Sequence, residues 1–562
     1  MPIQLTTAQG EALLRSKDTP WTVYPRPQMR RDSYVNLNGT WELSVKEETC
    51  EIRVPFCPES LLSGVQKHFP EGSYLVYRRN FTLPEGFNKG RVLLHIGAAD
   101  QVTACFVNGG YVGEPYTGYI GTTFDITAFL RAGENELTLS CYDNLHDQGM
   151  PYGKQVLPEK RGGMWYTPVS GIWQTVWLES VPEAYIKNLR IDNRGFAVEI
   201  SVSPALEGKV IVPSLGEFPL MDGKVTIAPD DPHLWSPEDP YLYNFSVKTE
   251  QDKVDSYFAI RSLEIKDNRL CHNGKPYFFH GLLDQGYWPD GLFTPAAPEC
   301  YAEDILAMKN LGFNMLRKHI KVEPEEFYYQ CDRLGMGVFQ DMVNNGDYSF
   351  FRDTALPTIG LQKLSDKHLH RDALTRQWFL DIMAATVRQL QNHPSICYWT
   401  IFNEGWGQFD SDNVYEILRK LDDTRFIDST SGWFRQKKTD VDSRHVYFKP
   451  IKLKLGDKPL VLSEFGGYSY KPEGHVFNTE STYGYGKYES AAEFTAAVAQ
   501  LYEEQVIPAA QQGLSAAVYT QVSDVEDETN GILTYDRKVC KLSPEIMRPI
   551  AEKLCKQKGP LV

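Results

Sequence analysis

Two glutamates are marked out by the residues around them. Glu404 closes Trp399-Thr400-Ile401-Phe402-Asn403-Glu404, and Glu464 stands within Leu462-Ser463-Glu464-Phe465-Gly466. Each ends a short apolar run of the kind that forms a buried strand, so each carboxylate falls at a strand end. Opposed carboxylates across a sugar-sized pocket are what glycoside hydrolysis requires: one carries a proton to the leaving oxygen while the other, ionised, attacks or stabilises the anomeric carbon. Asn403, directly before the first glutamate, is placed to bond the sugar 2-hydroxyl, a contact that strengthens in the transition state. One such glutamate could as well cap a helix or pair with a base. Two strand ends 60 residues apart leave room for three strand-to-strand steps, so both can face one pocket.

A (β/α)₈ barrel positions residues in this way, because its strands all end at one face. From about residue 264 the pattern alternates between strand and helix. Candidate strands are Tyr277–Leu283, Met315–Ile320, Gly337–Met342, Ile396–Phe402, Phe426–Ser431, His445–Phe448, Pro459–Ser463 and Leu514–Gln521. Helices fit between them over Tyr301–Leu311, Arg376–Leu390, Val414–Leu421 and Glu493–Val506, the last with Ser490 and Glu493 as a capping box. Before residue 264 the pattern is short β-type runs and tight turns such as Asn108-Gly109-Gly110. Residues 1–180 read as a jelly-roll β-sandwich, 181–263 as an immunoglobulin-like β-sandwich and 264–562 as the catalytic barrel.

The block Phe402-Asn403-Glu404-Gly405-Trp406-Gly407-Gln408, with Leu462–Gly467, resembles glycoside hydrolase family 2, which includes β-galactosidases, β-glucuronidases and β-mannosidases. Tyr166–Trp173, Asn392-His393-Pro394-Ser395 and Thr534-Tyr535-Asp536-Arg537 agree with it, so the resemblance spans nearly the whole chain. It implies the same order of domains. It also implies that Glu404 is the acid/base and Glu464 the nucleophile of a double displacement that retains the β configuration. By the same resemblance Arg317 holds the nucleophile, His319 contacts the sugar and Tyr447 hydrogen-bonds the nucleophile. An Arg inside an apolar strand needs a carboxylate partner in any case.

Asp284, at the end of the first barrel strand, could bond sugar hydroxyls with Trp288 stacking nearby, and Trp433 could be a similar platform. Tyr519 takes the eighth-strand position where members of the family often carry Trp. The stretch Gly466–Tyr488, with five tyrosines, suggests an aromatic lid. His368-Leu369-His370 completes no tetrahedral metal set, and Asp341–Asp347 lacks the His that accompanies the metal in some family members, so neither metal nor cofactor is expected.

The family leaves the sugar open. Where β-glucuronidases of the family present Asn-x-Lys, this chain reads Glu528-Thr529-Asn530-Gly531, preceded by Asp524, Glu526 and Asp527. An acidic loop repels a uronate and favours a neutral sugar, galactose first, with Asn530 among its contacts. Arg435, Lys437 and Lys438 could supply a cation for the alternative, a β-glucuronidase or β-galacturonidase. From another class, a non-catalytic carbohydrate-binding protein has no need of opposed carboxylates.

Composition agrees. The 562 residues carry 58 Lys and Arg against 73 Asp and Glu, a net charge of −15, which argues against nucleic acid or an anionic membrane as partner. No apolar stretch reaches a membrane span. Ten scattered cysteines without a C-x-x-C pair fit a reduced, cytoplasmic protein. The expected partner is a small or oligomeric β-glycoside, and assembly as a homo-oligomer is a family expectation.

Overall fold

The computed structural model describes residues 3–116, 118–349, 351–356, 365–447, 449–452 and 454–555. The eight expected barrel strands are present: β1 Phe279–Asp284, β2 Met315–Lys318, β3 Gly337–Asp341, β4 Ile396–Asn403, β5 Phe426–Ser431, β6 Asp442–Val446, β7 Leu460–Gly466 and β8 Leu514–Thr520. All ladders between them are parallel, in the order β5-β4-β3-β2-β1-β8-β7-β6. Across the seam between β5 and β6, Ser443 Oγ donates to Asp428 Oδ1 at 3.0 Å, and the segment leading into β6 adds Asp440 N to Ile427 O at 2.9 Å. The sixth strand begins earlier than the sequence suggests and ends at Val446, so Tyr447 lies just past it; Phe448 is outside the described residues.

Alternation along each strand sorts residues between two cores. Leu283, Met315, Phe339, Tyr398, Val461 and Val518 fill the barrel interior, while Leu282, Leu316, Val338, Leu462, Ala517 and Tyr519 pack outward against the helices. The helix Ala491–Leu501 starts as expected, with Glu493 N donating to Ser490 Oγ at 3.2 Å.

The first sandwich pairs a six-stranded antiparallel sheet, running from Glu48–Val54 to Gly110–Gly113, with a four-stranded sheet in which Val176–Val181 and Arg91–Ile96 are central. The second opposes sheets of three and four strands around Val198, Ile200, Val210, Phe245 and Phe258. It is tied to the barrel through buried Asp332, whose carboxylate takes the Tyr257 hydroxyl, His393 Nδ1 and Ser395 N at 2.7, 2.7 and 2.8 Å. Arg261 adds bonds to the carbonyls of Pro394 and Ile396 at 2.6 and 2.7 Å. The Asn392–Ser395 motif is thus an interdomain junction.

Candidate active site

The C-terminal ends of β2, β3, β4, β6 and β7 converge on the two glutamates. On β7 the ladder to β8 slips between Leu462 and Phe465, where Glu464 stands. Its Oε1 accepts from Arg317 Nη1 at 3.0 Å and its Oε2 from the Tyr447 hydroxyl. Burial pushes the Glu464 pKa up, but His445, Arg317, His319 and the Tyr447 hydrogen bond outweigh that effect and hold it below the ordinary 4.5.

Arg317, from β2, is 1% exposed. Its Nε donates to Asp341 Oδ1 at 3.0 Å, Nη1 also to Ser463 O at 3.0 Å and Nη2 to Asn403 Oδ1 at 2.9 Å. A guanidinium taken out of water costs several kcal/mol, roughly, and this set of two carboxylates and two neutral oxygens compensates it. One arginine therefore fixes Glu464 on β7, Asn403 on β4 and Asp341 on β3.

Glu404 follows β4 with φ of +52°, a left-handed conformation that costs a non-glycine residue roughly 1–2 kcal/mol. Its N–H is held by Ser431 O at 3.0 Å, and its Oε1 lies 2.7 Å from His445 Nδ1. His445 also stands 3.5 Å from Glu464 Oε2, and its Nε2 lies 3.1 Å from Ser431 Oγ. The ring leaves no room beside Gly432, where φ is +85° and an added Cβ would meet it at 2.6 Å. Glu404, His445 and Glu464 each place one ligand atom within 4.8 Å of the others. That is close enough to share a cation, but Arg317, Tyr447 and His445 already give both carboxylates their partners.

The other expected residues divide into two groups. His319 bonds Asp341 Oδ2 at 2.8 Å, and burial lowers its pKa to about 4. Trp433 is half-buried with its ring 6.2 Å from that of His445, at the pocket rim. Asn403 turns its oxygen to Arg317, accepting from Nη2 at 2.9 Å.

Four of the expected residues have other partners in the structure. Asp284 is engaged by Lys318 Nζ at 2.7 Å and Gly286 N at 3.0 Å, because Lys318 needs a partner where it is buried. Trp288 is 2% exposed and packs under the Arg537 guanidinium, 4.0 Å from the ring centroid, as a core residue and no platform. Tyr519 points outward to Phe465 and Tyr502; its neighbour Thr520 faces inward and bonds Tyr447 at 3.0 Å. Asn530 is fully buried and accepts from Gln521 Nε2 at 2.8 Å, bracing the loop that carries Glu528.

Sequence reasoning missed His445, Asp341, Trp406, Glu528 and Lys154. His445 had a signal: it lies two residues before Tyr447, on the same strand face. Glu528 Oε2 accepts from the Tyr166 hydroxyl and from Gln521 Nε2 at 3.3 Å. Lys154 arrives from the first sandwich, with Nζ 4.6 Å from the Trp406 ring centroid. Within the stretch suggested as a lid, Tyr485 stacks on Tyr447 at 4.2 Å, and Tyr468–Tyr470 pairs with Gly486–Tyr488. Arg435 is tied to Asp442 at 2.7 Å, and Lys437 and Lys438 are exposed. His370 lies 3.2 Å from Asp347. A cavity of about 640 Å³ where the two sandwiches meet the barrel, lined by Arg26, His95, Gln174, Trp177 and Asn392, includes neither glutamate.

Residues 263–544 match the model of the glycosyl hydrolases family 2 TIM barrel domain, 65–182 that of the family 2 sugar binding domain, and 182–261 a further glycosyl hydrolases family 2 model. A β-galactosidase of Thermoanaerobacter pseudethanolicus is 26% identical over 481 residues, covering 77% of this chain and 60% of the relative. A β-galactosidase of Halalkalibacterium halodurans is 23% identical, with 76% and 41% covered. The chain thus spans three-fifths or less of the length of these relatives. Among solved structures, a β-D-glucuronidase from Dictyoglomus thermophilum superposes with a TM-score of 0.73 at 18% identity, covering 95% of this chain and 99% of that one. A family 2 β-galacturonidase from Eisenbergiella tayi gives 0.69 at 19%, with 96% and 99% covered.

Proposed function

The chain belongs to glycosyl hydrolases family 2, and from that premise we propose that it is a retaining exo-β-glycosidase acting on a terminal neutral sugar, a β-D-galactoside first. The observation that carries the reading is the separation of the pair. Carboxylate oxygens of Glu404 and Glu464 lie within 4.8 Å, near the spacing of about 5–5.5 Å of retaining enzymes and short of the 6.5–9.5 Å that an inverting water needs. Glu464, ionised and aimed by Arg317 and Tyr447, attacks the anomeric carbon as Glu404 gives its proton to the leaving oxygen. The ester so formed removes one negative charge beside Glu404, which then takes a proton from the water that hydrolyses the glycosyl-enzyme.

The neutral sugar is argued from charge. Glu404, Glu464, Asp341 and Glu528 gather at the pocket, Arg317 is spent on two of them, and Arg435 is held by Asp442. A uronate would add a further negative charge. The second reading, a β-glucuronide or β-galacturonide, rests on the ammonium of Lys154. Initial rates of wild type and Glu464→Ala on nitrophenyl β-galactoside, β-glucoside, β-mannoside, β-glucuronide and β-galacturonide test both. Turnover of a neutral glycoside, abolished by the substitution, is expected; turnover of a uronide alone overturns the choice of sugar.

A further inference from the structure

Lys154 sits on a segment that the first sandwich extends over the barrel mouth. Its backbone is pinned there: Tyr166 N donates to Lys154 O at 3.1 Å, and the adjacent Gln155 bonds Asp100 at 2.8 Å and Tyr119 at 3.1 Å. The side chain is 6% exposed, yet it forms no hydrogen bond or ion pair among the described residues. Its Nζ instead lies against the rings of Trp406, at 4.6 Å, and Trp165, at 5.7 Å, which themselves stack at 5.2 Å. Trp406 is two residues beyond Glu404. The carboxylates acting most strongly on the ammonium are Glu528, then Glu464 and Glu404. Lys154 and Trp165 belong to the first sandwich, whereas Trp406 and both glutamates of the pair belong to the barrel.

Most of the Lys154 residue is withdrawn from water, and the aromatic faces return only part of the cost of desolvating its ammonium. A ligand oxygen completes the site. Taken with the neutral sugar proposed above, on which this step rests, the oxygen is a hydroxyl: it can accept from Lys154 and donate to Glu528, whose position Tyr166 and Gln521 fix.

We infer that Lys154, with Glu528 as its accepting counterpart, is a specificity-determining residue that reads one hydroxyl of the β-glycoside from the sandwich side of the pocket. A residue that only balanced the charge of the three glutamates would act on all substrates alike. Reading a hydroxyl makes the effect specific to one position, since a site built to bond a hydroxyl rejects the analogue that lacks it.

The test compares kcat/KM of wild type, Lys154→Met and Lys154→Arg on the neutral nitrophenyl β-glycoside turned over fastest and on its monodeoxy analogues. Wild type is expected to lose about 10- to 100-fold on one analogue, the scale of a hydrogen bond to a charged group. Lys154→Met should lose a similar factor on the parent and show no further loss on that analogue, with the other deoxy penalties unchanged. Lys154→Arg, which keeps the charge and moves the donors, should shrink the same penalty alone, and it decides the matter if the Met variant does not fold. Equal losses on parent and all analogues, or no loss, overturn the inference. If wild type cleaves only a uronide, the sugar reading fails separately, and the variants are compared on that uronide and its uncharged methyl ester. A larger Lys154→Met loss on the free acid then overturns the hydroxyl assignment, and equal losses on acid and ester support it.

Discussion

His445 Nδ1 lies 2.7 Å from Glu404 Oε1, so the residue proposed as acid/base is held by an imidazole from the sixth strand. The same ring is 3.5 Å from Glu464 Oε2. His445→Ala should release Glu404 and lower kcat by about 10²-fold or more, the scale of misplaced acid–base catalysis. The loss should shrink on dinitrophenyl glycosides, whose leaving groups need little protonation. Rates measured across leaving groups of rising pKa check this; an equal loss on all of them would mean that His445 does not act through Glu404.

Glu464 must be ionised to attack, and its pKa is held below 4.5 although burial alone would raise it. A carboxylate with a lowered pKa stays ionised above that value and is lost only as pH falls through it, so the acid limb of kcat/KM belongs below pH 4.5. Arg317→Lys loses the planar fork that bonds Glu464 and Asp341 at once and should move that limb to higher pH. A pH–rate profile in which the limb stays in place contradicts the assignment.

Tyr447→Phe deletes one hydrogen bond to the Glu464 carboxylate while keeping the ring stacked on Tyr485 at 4.2 Å. The expected fall in kcat/KM is about 10- to 100-fold, with the thermal midpoint little changed. A change under twofold would show that Arg317 alone positions the nucleophile.

Asp332 joins the second sandwich to the barrel through Tyr257, His393 and Ser395. Asp332→Ala removes three buried hydrogen bonds to a carboxylate and should destabilise the chain by about 3 kcal/mol. Denaturant melts would show the shift, and kcat/KM of the folded enzyme should stay close to wild type because no partner of Asp332 touches the pocket.

The barrel and the glutamates were legible because apolar runs of strand length ended in Asn403-Glu404 and Ser463-Glu464. Arg317 was legible because a cation inside such a run demands a buried acid. Parity was harder. Tyr519 and Thr520 both occupy the end of the eighth strand, and only the register with Phe465 and Gly466 shows that Tyr519 faces the helices and Thr520 the pocket. Trp288 looked like a platform because tryptophan suits both sugars and cores, and its neighbour Arg537 lies some 250 residues downstream. Lys154 was invisible for a related reason: about as many residues separate it from Glu404, and no local pattern records that one domain docks a cation over another's active site.

The most direct test of the central claim is the anomeric configuration of the first sugar released from the preferred β-glycoside, followed by proton NMR before mutarotation. Double displacement through Glu464 predicts the β anomer first, with the α anomer appearing only as the sugar equilibrates. An α anomer as the first product would mean single displacement by water and would contradict the role given to the Glu404–Glu464 pair.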